Sequence, residues 1–155
     1  MSGIDDIIQA LQDYKKSLKA KADALAKALA DAGCGAVTIT YGSQNYVGPR
    51  DVNVTVEQLG ELSYAIVAGG ETVLFLEFGA GVYLGYGHPN PMEYGPGTYP
   101  GQTHAMDPGG WYLPKDVFGK SGVHTYGNPP SAAMYQTGKG LREMVEQAAK
   151  AVFGG

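Results

Sequence analysis

Apolar residues recur at helical spacing through the N-terminal segment of the chain. They are Ile4, Ile7, Ile8, Leu11, Tyr14, Leu18, Ala22, Leu25 and Leu29, and they form one stripe along a helix. Ser2 is suited to cap this helix, and Asp5 and Asp6 lie in the first turn, where the helix dipole favours acids. Because Gly33 and Gly35 are typical of a helix end, we predict a helix over residues 1–32. We expect the stripe to pack across a sheet, with a coiled-coil partner as the alternative.

Residues 36–78 have the pattern of strands. Apolar and polar residues alternate over 36–41 and again over 52–57, and 64–68 is a third apolar run. Gly69 and Gly70 predict a tight hairpin that leads into a fourth strand over 72–78. This strand is nearly all apolar, which predicts a central position. Alternation within it places Leu74, Leu76 and Phe78 on one face, and Phe75 and Glu77 on the other.

Residues 79–127 form a connection rich in Gly, Pro and Tyr, far longer than the usual ~4–6 residues. Within it, 110–113 and 122–126 have the pattern of a short hairpin. Pro129 and Pro130 precede a predicted helix over 131–153. We therefore expect a single α+β domain over residues 1–155. A long N-terminal helix and a C-terminal helix would pack on a small, mostly antiparallel sheet that carries a long loop.

Composition narrows the function classes. Charged residues make up 17% of the chain and the net charge is -4, which argues against general nucleic-acid binding. Low charge together with many aromatic rings is typical of surfaces that partners cover. Cys34 is the single cysteine and cannot form an internal disulfide, which favours a reduced, cytoplasmic origin. We expect no membrane partner, because no apolar run approaches the ~20 residues of a membrane span.

Few residues suggest catalysis. Glu77 within an apolar run could be a general acid or base, but we favour a structural role, in which it pairs with a cation or accepts backbone amide hydrogens. His88, His104 and His124 could supply a metal-dependent hydrolase, although their intervals lack helical ligand spacing, and solvated or interface histidines are the simpler interpretation. The serines form no nucleophile elbow, and Gly79-Ala80-Gly81 lacks the Lys-Ser/Thr of a phosphate loop. We expect no catalytic residue, metal site or cofactor.

Aromatic side chains crowd the long loop. They are Tyr83, Tyr86, Tyr94, Tyr99, Trp111, Tyr112 and Tyr126. Such rings give large contact area at low entropic cost and dominate protein interfaces, so we expect protein partners. A glycan-binding module is the next alternative, and rings packed on their own sheet within a compact loop are a third.

Two segments resemble a known family. Phe75-Leu76-Glu77-Phe78-Gly79-Ala80-Gly81 resembles the valine-glutamate-phenylalanine-glycine-threonine-glycine segment of tailed-phage neck and tail-completion proteins, with Ala80 in place of the usual threonine. The segment from Gly127 to Tyr135 resembles that family's entry to its last helix, although 131–133 replaces the usual arginine-proline-phenylalanine. The order of elements is also similar.

The resemblance implies a structural subunit of the virion that is assembled in the host cytoplasm. It would form a homo-oligomeric ring between the portal side and the tail-tube side, join head to tail, and let DNA pass without sequence-specific binding. Cyclic closure implies head-to-tail interfaces between copies, and the acidic balance suits a channel that repels DNA. The expected partner interface comprises Val54, Glu77, Phe78, Gly79, Gly81, Tyr83, Tyr86, Tyr94, Tyr99, Trp111 and Tyr112.

Overall fold

A computed structural model describes residues 3–46, 50–90, 107–113 and 122–154 of the chain. Two long helices frame these residues. The elements, in chain order, are α1 (Gly3–Ser43), β1 (Asn53–Gly60), β2 (Ser63–Gly69), α2 (Val73–Phe78), β3 (Ala80–Gly81), β4 (Trp111–Tyr112), β5 (His124–Thr125), β6 (Gly127–Asn128) and α3 (Ala133–Phe153). The α+β class is confirmed, with antiparallel strands throughout the described part.

Helix α1 does not end at residue 32. It continues to Ser43, so the predicted strand over 36–41 is wrong. Burial explains the difference: Ala30, Gly33, Val37 and Tyr41, at spacings of three and four, form the buried face of α1. Gly33 does not terminate the helix because it lies in a close approach, where an added Cβ would stand 2.4 Å from Ile66 Cδ1. Tertiary packing therefore outweighs the poor helix propensity of glycine and β-branched residues.

The β1–β2 hairpin covers part of α1. Val54 lies opposite Ala68 and Val56 opposite Ile66 in an antiparallel register. The strands predicted over 52–57 and 64–68 are thus confirmed. The hairpin predicted at Gly69 and Gly70 is wrong, because the tight turn lies between Gly60 and Ser63 and the two glycines lead from β2 to α2.

Residues 73–78 form the short helix α2, not a central strand. Leu76, Glu77 and Phe78 are consecutive and all buried, so the alternation predicted for this segment is also wrong. Short apolar runs do not distinguish a buried helix from a buried strand by periodicity. Before α2, the Asp51 carboxylate accepts hydrogen bonds from the backbone amide and the hydroxyl of Thr72.

Two further predicted elements are confirmed, but the expectation that the apolar stripe of α1 packs on a sheet is wrong over its first part, where the stripe residues from Ile4 to Leu18 are 39–65% exposed. Strands β4 and β5 pair, with Trp111 opposite Thr125, which confirms the short hairpin, and α3 confirms the C-terminal helix. One buried cluster joins Val37, Tyr41, Leu76 and Ala133, so α1, α2 and α3 meet in it, and a second contains Phe78 and Leu84. Among the helices as far as the structure describes them, none is long and apolar enough to cross a membrane.

Candidate functional site: a buried carboxylate at the start of the C-terminal helix

The carboxylate of Glu77 caps α3 from outside that helix. Ala132 occupies the N-cap position with φ 50° and has no side-chain oxygen to offer the first turn. Glu77 replaces it: Oε2 accepts a hydrogen bond from the backbone N–H of Met134 at 3.0 Å, and Oε1 accepts one from Tyr135 N–H at 3.2 Å. These are the amides that an N-cap side chain usually satisfies, and the helix dipole favours an anion there.

Tyr41 completes the surroundings of Glu77 from α1. Its buried hydroxyl donates to Glu77 Oε2 at 2.9 Å. Burial raises the pKa of Tyr41 well above its ordinary value, and the charge of Glu77 and this hydrogen bond raise it further. Tyr41 therefore remains a neutral donor over the physiological pH range. The bond joins α1 to α2 and, through Glu77, to the start of α3.

His88 lies against the same carboxylate. Its Nδ1 accepts a hydrogen bond from Asn90 N–H at 2.9 Å, which places the proton of a neutral ring on Nε2. Nε2 stands 3.5 Å from Glu77 Oε1, too far for a good hydrogen bond, and the imidazole ring packs 4.5 Å from the ring of Phe78. The side chain is only 2% exposed. This arrangement keeps the imidazole close to the carboxylate but away from bulk water.

Backbone hydrogen bonds join the two segments around Glu77. The carbonyl of Leu76 accepts from Ser131 N–H at 2.8 Å, and the carbonyl of Glu77 accepts from Ala132 N–H at 3.1 Å. The amide side chain of Asn128 donates to the Phe75 carbonyl at 2.9 Å. Helix α2 and the segment that opens α3 are therefore joined by hydrogen bonds into one unit, which we call the Glu77 node: Tyr41, Glu77 and the backbone of 131–135.

Glycines allow the strands beside the Glu77 node to approach closely. Strand β3 pairs with β6, Ala80 opposite Asn128 and Gly81 opposite Gly127. Gly127 has φ 99°, and a Cβ there would lie 1.9 Å from the carbonyl oxygen of Ala80. A side chain is thus excluded both by the backbone conformation and by space.

The carboxylate of Glu77 makes its hydrogen bonds within the subunit although it borders a cavity. A cavity of about 330 Å³ lies beside the node, lined by Tyr41, Glu77, His88 and Tyr135 among mostly apolar side chains. Both oxygens of Glu77 already accept hydrogen bonds, one from Tyr41 and two from backbone amides. The expectation that Glu77 accepts amide hydrogens is confirmed, although the donors belong to a helix start and not to the loop.

The residues of the expected interface fall into two groups. Val54 is half-buried against the core, and Glu77, Phe78, Gly79 and Gly81 are buried within the subunit. By contrast, the tyrosines that the structure describes lie at the surface: Tyr83 is 40% exposed, Tyr112 69% and Tyr86 79%. Trp111 is half-buried. Tyr94 and Tyr99 lie outside the described residues.

His88 and His124, the two histidines within the described residues, do not share a metal site. His88 packs beside Glu77, whereas His124 lies on β5, where Nε2 is 2.9 Å from the carbonyl oxygen of Gly109 and the ring meets Tyr112 and Tyr126 edge-on. His104 lies outside the described residues. Over 3–46, 50–90, 107–113 and 122–154, no group of three or more His, Cys, Asp or Glu side chains is placed to hold a metal ion.

A second cavity, of about 400 Å³, opens beside β4 and β6. Tyr46, Tyr83 and Trp111 supply rings, and polar side chains lie between them. Of these, Gln44 donates to the Pro129 carbonyl at 2.6 Å. Aromatic rings and amide side chains thus lie together at the surface of this cavity.

Sequence reasoning singled out Glu77 but missed its partners. The sequence pattern predicts a strand at Tyr41 and gives Ala132 no role. A signal was nevertheless present, because α3 begins without a capping side chain at Ala132, and the start of a helix needs acceptors for its first amides.

Comparison with family models, curated proteins and solved structures finds no match to this chain.

Proposed function

We propose that this protein is a non-enzymatic structural subunit of a tailed-phage neck or tail, forming a ring that joins the head connector to the tail. The observation that supports the proposal is the structural role of the Glu77 carboxylate. The two segments that resemble the neck and tail-completion family meet at this residue, and its carboxylate serves to hold α1, α2 and α3 together. Three of the roughly four acceptor positions of this carboxylate are occupied by Tyr41 and the two amides, which supports a structural role over that of a general acid or base.

The exposed aromatic surface supports an assembling subunit. Tyr83, Tyr86, Tyr112 and Tyr126 are each at least 40% exposed, and Leu59 and Leu62 are exposed at the tip of the β1–β2 hairpin. Covering these exposed tyrosine and leucine side chains with a neighbouring copy removes apolar surface from water, which lowers the free energy. In this proposal the aromatic surface and the hairpin contact the neighbouring copies of a closed ring.

The experiment is the mass of the purified protein by light scattering over a range of concentrations, with electron micrographs of any large species. We expect closed rings or short stacks, and we expect Tyr86→Ser combined with Tyr112→Ser to reduce them. Ile39→Ser is the control, because Ile39 is an apolar residue of α1 that is 73% exposed and does not belong to the assigned interface. Rings that persist in the double variant would contradict the assigned interface. A monomer that hydrolyses a substrate with a bound metal would contradict the proposal itself.

The second cavity favours one further candidate, a glycan-binding module. Trp111 and Tyr83 line it together with amide side chains. Binding on a glycan array that disappears in Trp111→Ala, but persists in Tyr86→Ala, would favour this function. If no glycan on the array binds, the ring subunit is the better explanation of the exposed aromatic residues.

A further inference from the structure

His88 carries a buried hydrogen-bond donor that no described residue accepts. Its side chain is 2% exposed. Because Nδ1 accepts the backbone N–H of Asn90, the proton of the neutral ring lies on Nε2. Over residues 3–46, 50–90, 107–113 and 122–154, Nε2 has no hydrogen-bond partner. A buried donor without an acceptor is rare in native proteins, so we expect a further group to accept this N–H.

The carboxylate of Glu77 offers an acceptor beside this donor. Its Oε1 stands 3.5 Å from His88 Nε2. Oε2 accepts two hydrogen bonds, from Tyr41 and from the amide of Met134, whereas Oε1 accepts one from the amide of Tyr135 within the described residues. A carboxylate has about four acceptor positions, so Oε1 can accept one bond more. The site therefore presents one N–H donor and one acceptor position side by side.

A hydroxyl group satisfies this pair with a single atom. Its oxygen accepts a hydrogen bond from His88 Nε2–H and its proton is donated to Glu77 Oε1. Since the two atoms are 3.5 Å apart, one oxygen can lie at hydrogen-bond distance from both. An ammonium group cannot accept from the imidazole, and a carboxylate would meet the charge of Glu77. The polar pair thus favours a neutral hydroxyl group.

The cavity next to this pair has room for more than a water molecule. Its volume is about 330 Å³, at the lower end of the ~300–1,000 Å³ of small-molecule sites. Tyr135, which is 38% exposed, also lines the cavity and connects it with the protein surface. Apolar side chains form much of the remaining wall: Ala68, Val73, Leu74, Phe78 and Met134. A ligand with an apolar body would cover this wall, which a single water molecule cannot do.

From these features we propose that the cavity beside the Glu77 node binds a small neutral alcohol, and that a phenol suits it best. The hydroxyl group bridges His88 Nε2 and Glu77 Oε1, and the aromatic body lies among Phe78, Met134 and Tyr135. Rings and a methionine sulfur both pack favourably against an aromatic ligand. This site does not depend on the proposed neck role.

The test uses three ligands of similar shape, titrated into the labelled full chain and followed by nuclear magnetic resonance. They are p-cresol, toluene, which lacks the hydroxyl group, and p-toluate, which replaces it with a carboxylate. We expect p-cresol to bind at least about tenfold more tightly than toluene, which would leave both polar groups of the site unpaired, and p-toluate to bind least. Equal binding of toluene, or tighter binding of p-toluate, would overturn the proposal. So would p-cresol that does not bind up to its solubility limit, because a bound water or the chain itself then satisfies His88.

Variants of His88 test whether its Nε2–H selects the ligand. His88→Asn keeps an acceptor for the N–H of Asn90 but removes the outer donor, and should reduce the preference for p-cresol over toluene to less than about threefold. His88→Gln, whose amide N–H reaches closer to the position of Nε2, should retain part of the preference. His124→Asn is the matched control, because this histidine is exposed on β5 and does not line the cavity. A preference that survives in His88→Asn would overturn the proposal.

The ring nitrogens of the unmodified protein provide a second measurement if His88→Asn does not fold. Their ¹⁵N shifts should show the Nε2–H form, and the Nε2 signal should move with p-cresol but not with toluene. A proton on Nδ1, or a signal that p-cresol leaves unchanged, would contradict the assigned hydrogen bonds. A signal that moves when the protein alone is concentrated, together with loss of p-cresol binding, would identify a tyrosine of a second copy as the occupant and would also overturn the proposal.

Discussion

Replacing Glu77 with glutamine tests the central structural argument with a change of almost no volume. The carboxylate accepts three hydrogen bonds, from Tyr41 to Oε2 and from the amides of Met134 and Tyr135. A glutamine offers one oxygen, which best replaces Oε2 because two donors point to it. Its NH₂ group must then face the N–H of Tyr135 and the Nε2 side of His88, where it finds donors instead of acceptors.

The magnitude follows from the bonds that are lost. A hydrogen bond to a charged acceptor contributes about 1.5–3 kcal/mol, and a buried donor left without a partner costs about 1–3 kcal/mol. Relief of carboxylate desolvation offsets part of this. We therefore expect Glu77→Gln to lower the free energy of unfolding by about 2–4 kcal/mol, a large part of the ~5–15 kcal/mol that domains possess.

Urea unfolding, followed by circular dichroism, measures the effect. With a slope of ~2 kcal/mol per M, the midpoint should fall by about 1–2 M while the slope stays the same. Glu71→Gln is the matched control: it makes the same chemical change at an exposed position on the same segment, and it should cost under about 0.5 kcal/mol. A Glu77→Gln protein as stable as this control would refute the capping role.

A double-mutant cycle separates the contribution of Tyr41. Tyr41→Phe removes the hydroxyl donor and leaves the ring in place. If the hydroxyl and the carboxylate interact as described, the coupling energy between Tyr41→Phe and Glu77→Gln should be about 0.5–3 kcal/mol. Strict additivity of the two changes would mean that their 2.9 Å contact carries no net stabilisation.

Three further outcomes are expected. Gly127→Ala should cost at least ~2 kcal/mol in thermal unfolding because its Cβ would strike the Ala80 carbonyl, whereas Gly138→Ala, in open space on α3, should gain about 0.5–1 kcal/mol. Since burial raises the pKa of Tyr41, its stabilisation is present below the ordinary tyrosine value of ~10 and is lost as pH rises above it; Tyr41→Phe should flatten this alkaline decline in denaturation midpoints. The hydrogen bonds from Thr72 and from the amide of Glu71 lower the pKa of Asp51, so its stabilisation is present above about pH 4 and falls away in acid; because solvent screens this exposed carboxylate, Asp51→Asn should lower the denaturation midpoint only slightly at pH 7 and converge with wild type in acid.

The sequence predicts the elements that have a clear period and flanking turns. Val54 and Val56 alternate with polar neighbours on β1, and the structure keeps that pattern. The errors occur where local propensity and tertiary burial disagree. Thr38 and Thr40 favour a strand, yet both hydroxyls donate to carbonyls four residues earlier in α1, which satisfies them within the helix.

The site was predictable only in part for the same physical reason. Glu77 is conspicuous because a lone carboxylate in an apolar run must find donors. Its donors come from Tyr41 and from a helix start after residue 131, and no local pattern connects segments so distant along the chain. A strand over 72–78 also places Glu77 on the face opposite Leu76 and Phe78, whereas all three are buried in α2.

The Glu77 node also has a consequence for the order in which the chain folds. Its hydrogen bonds connect residues that are far apart along the chain: Tyr41 and Glu77 are separated by 36 positions, and Glu77 and Met134 by 57. Closing these loops costs more entropy than forming α1 or the β1–β2 hairpin. During synthesis α2 emerges before α3, and until α3 arrives Glu77 has no helix start to cap. We expect Glu77→Gln to act mainly on the unfolding rate, with a φ-value near zero. The hydrogen bonds of the Glu77 node would then form after the folding transition state and break before the main unfolding barrier.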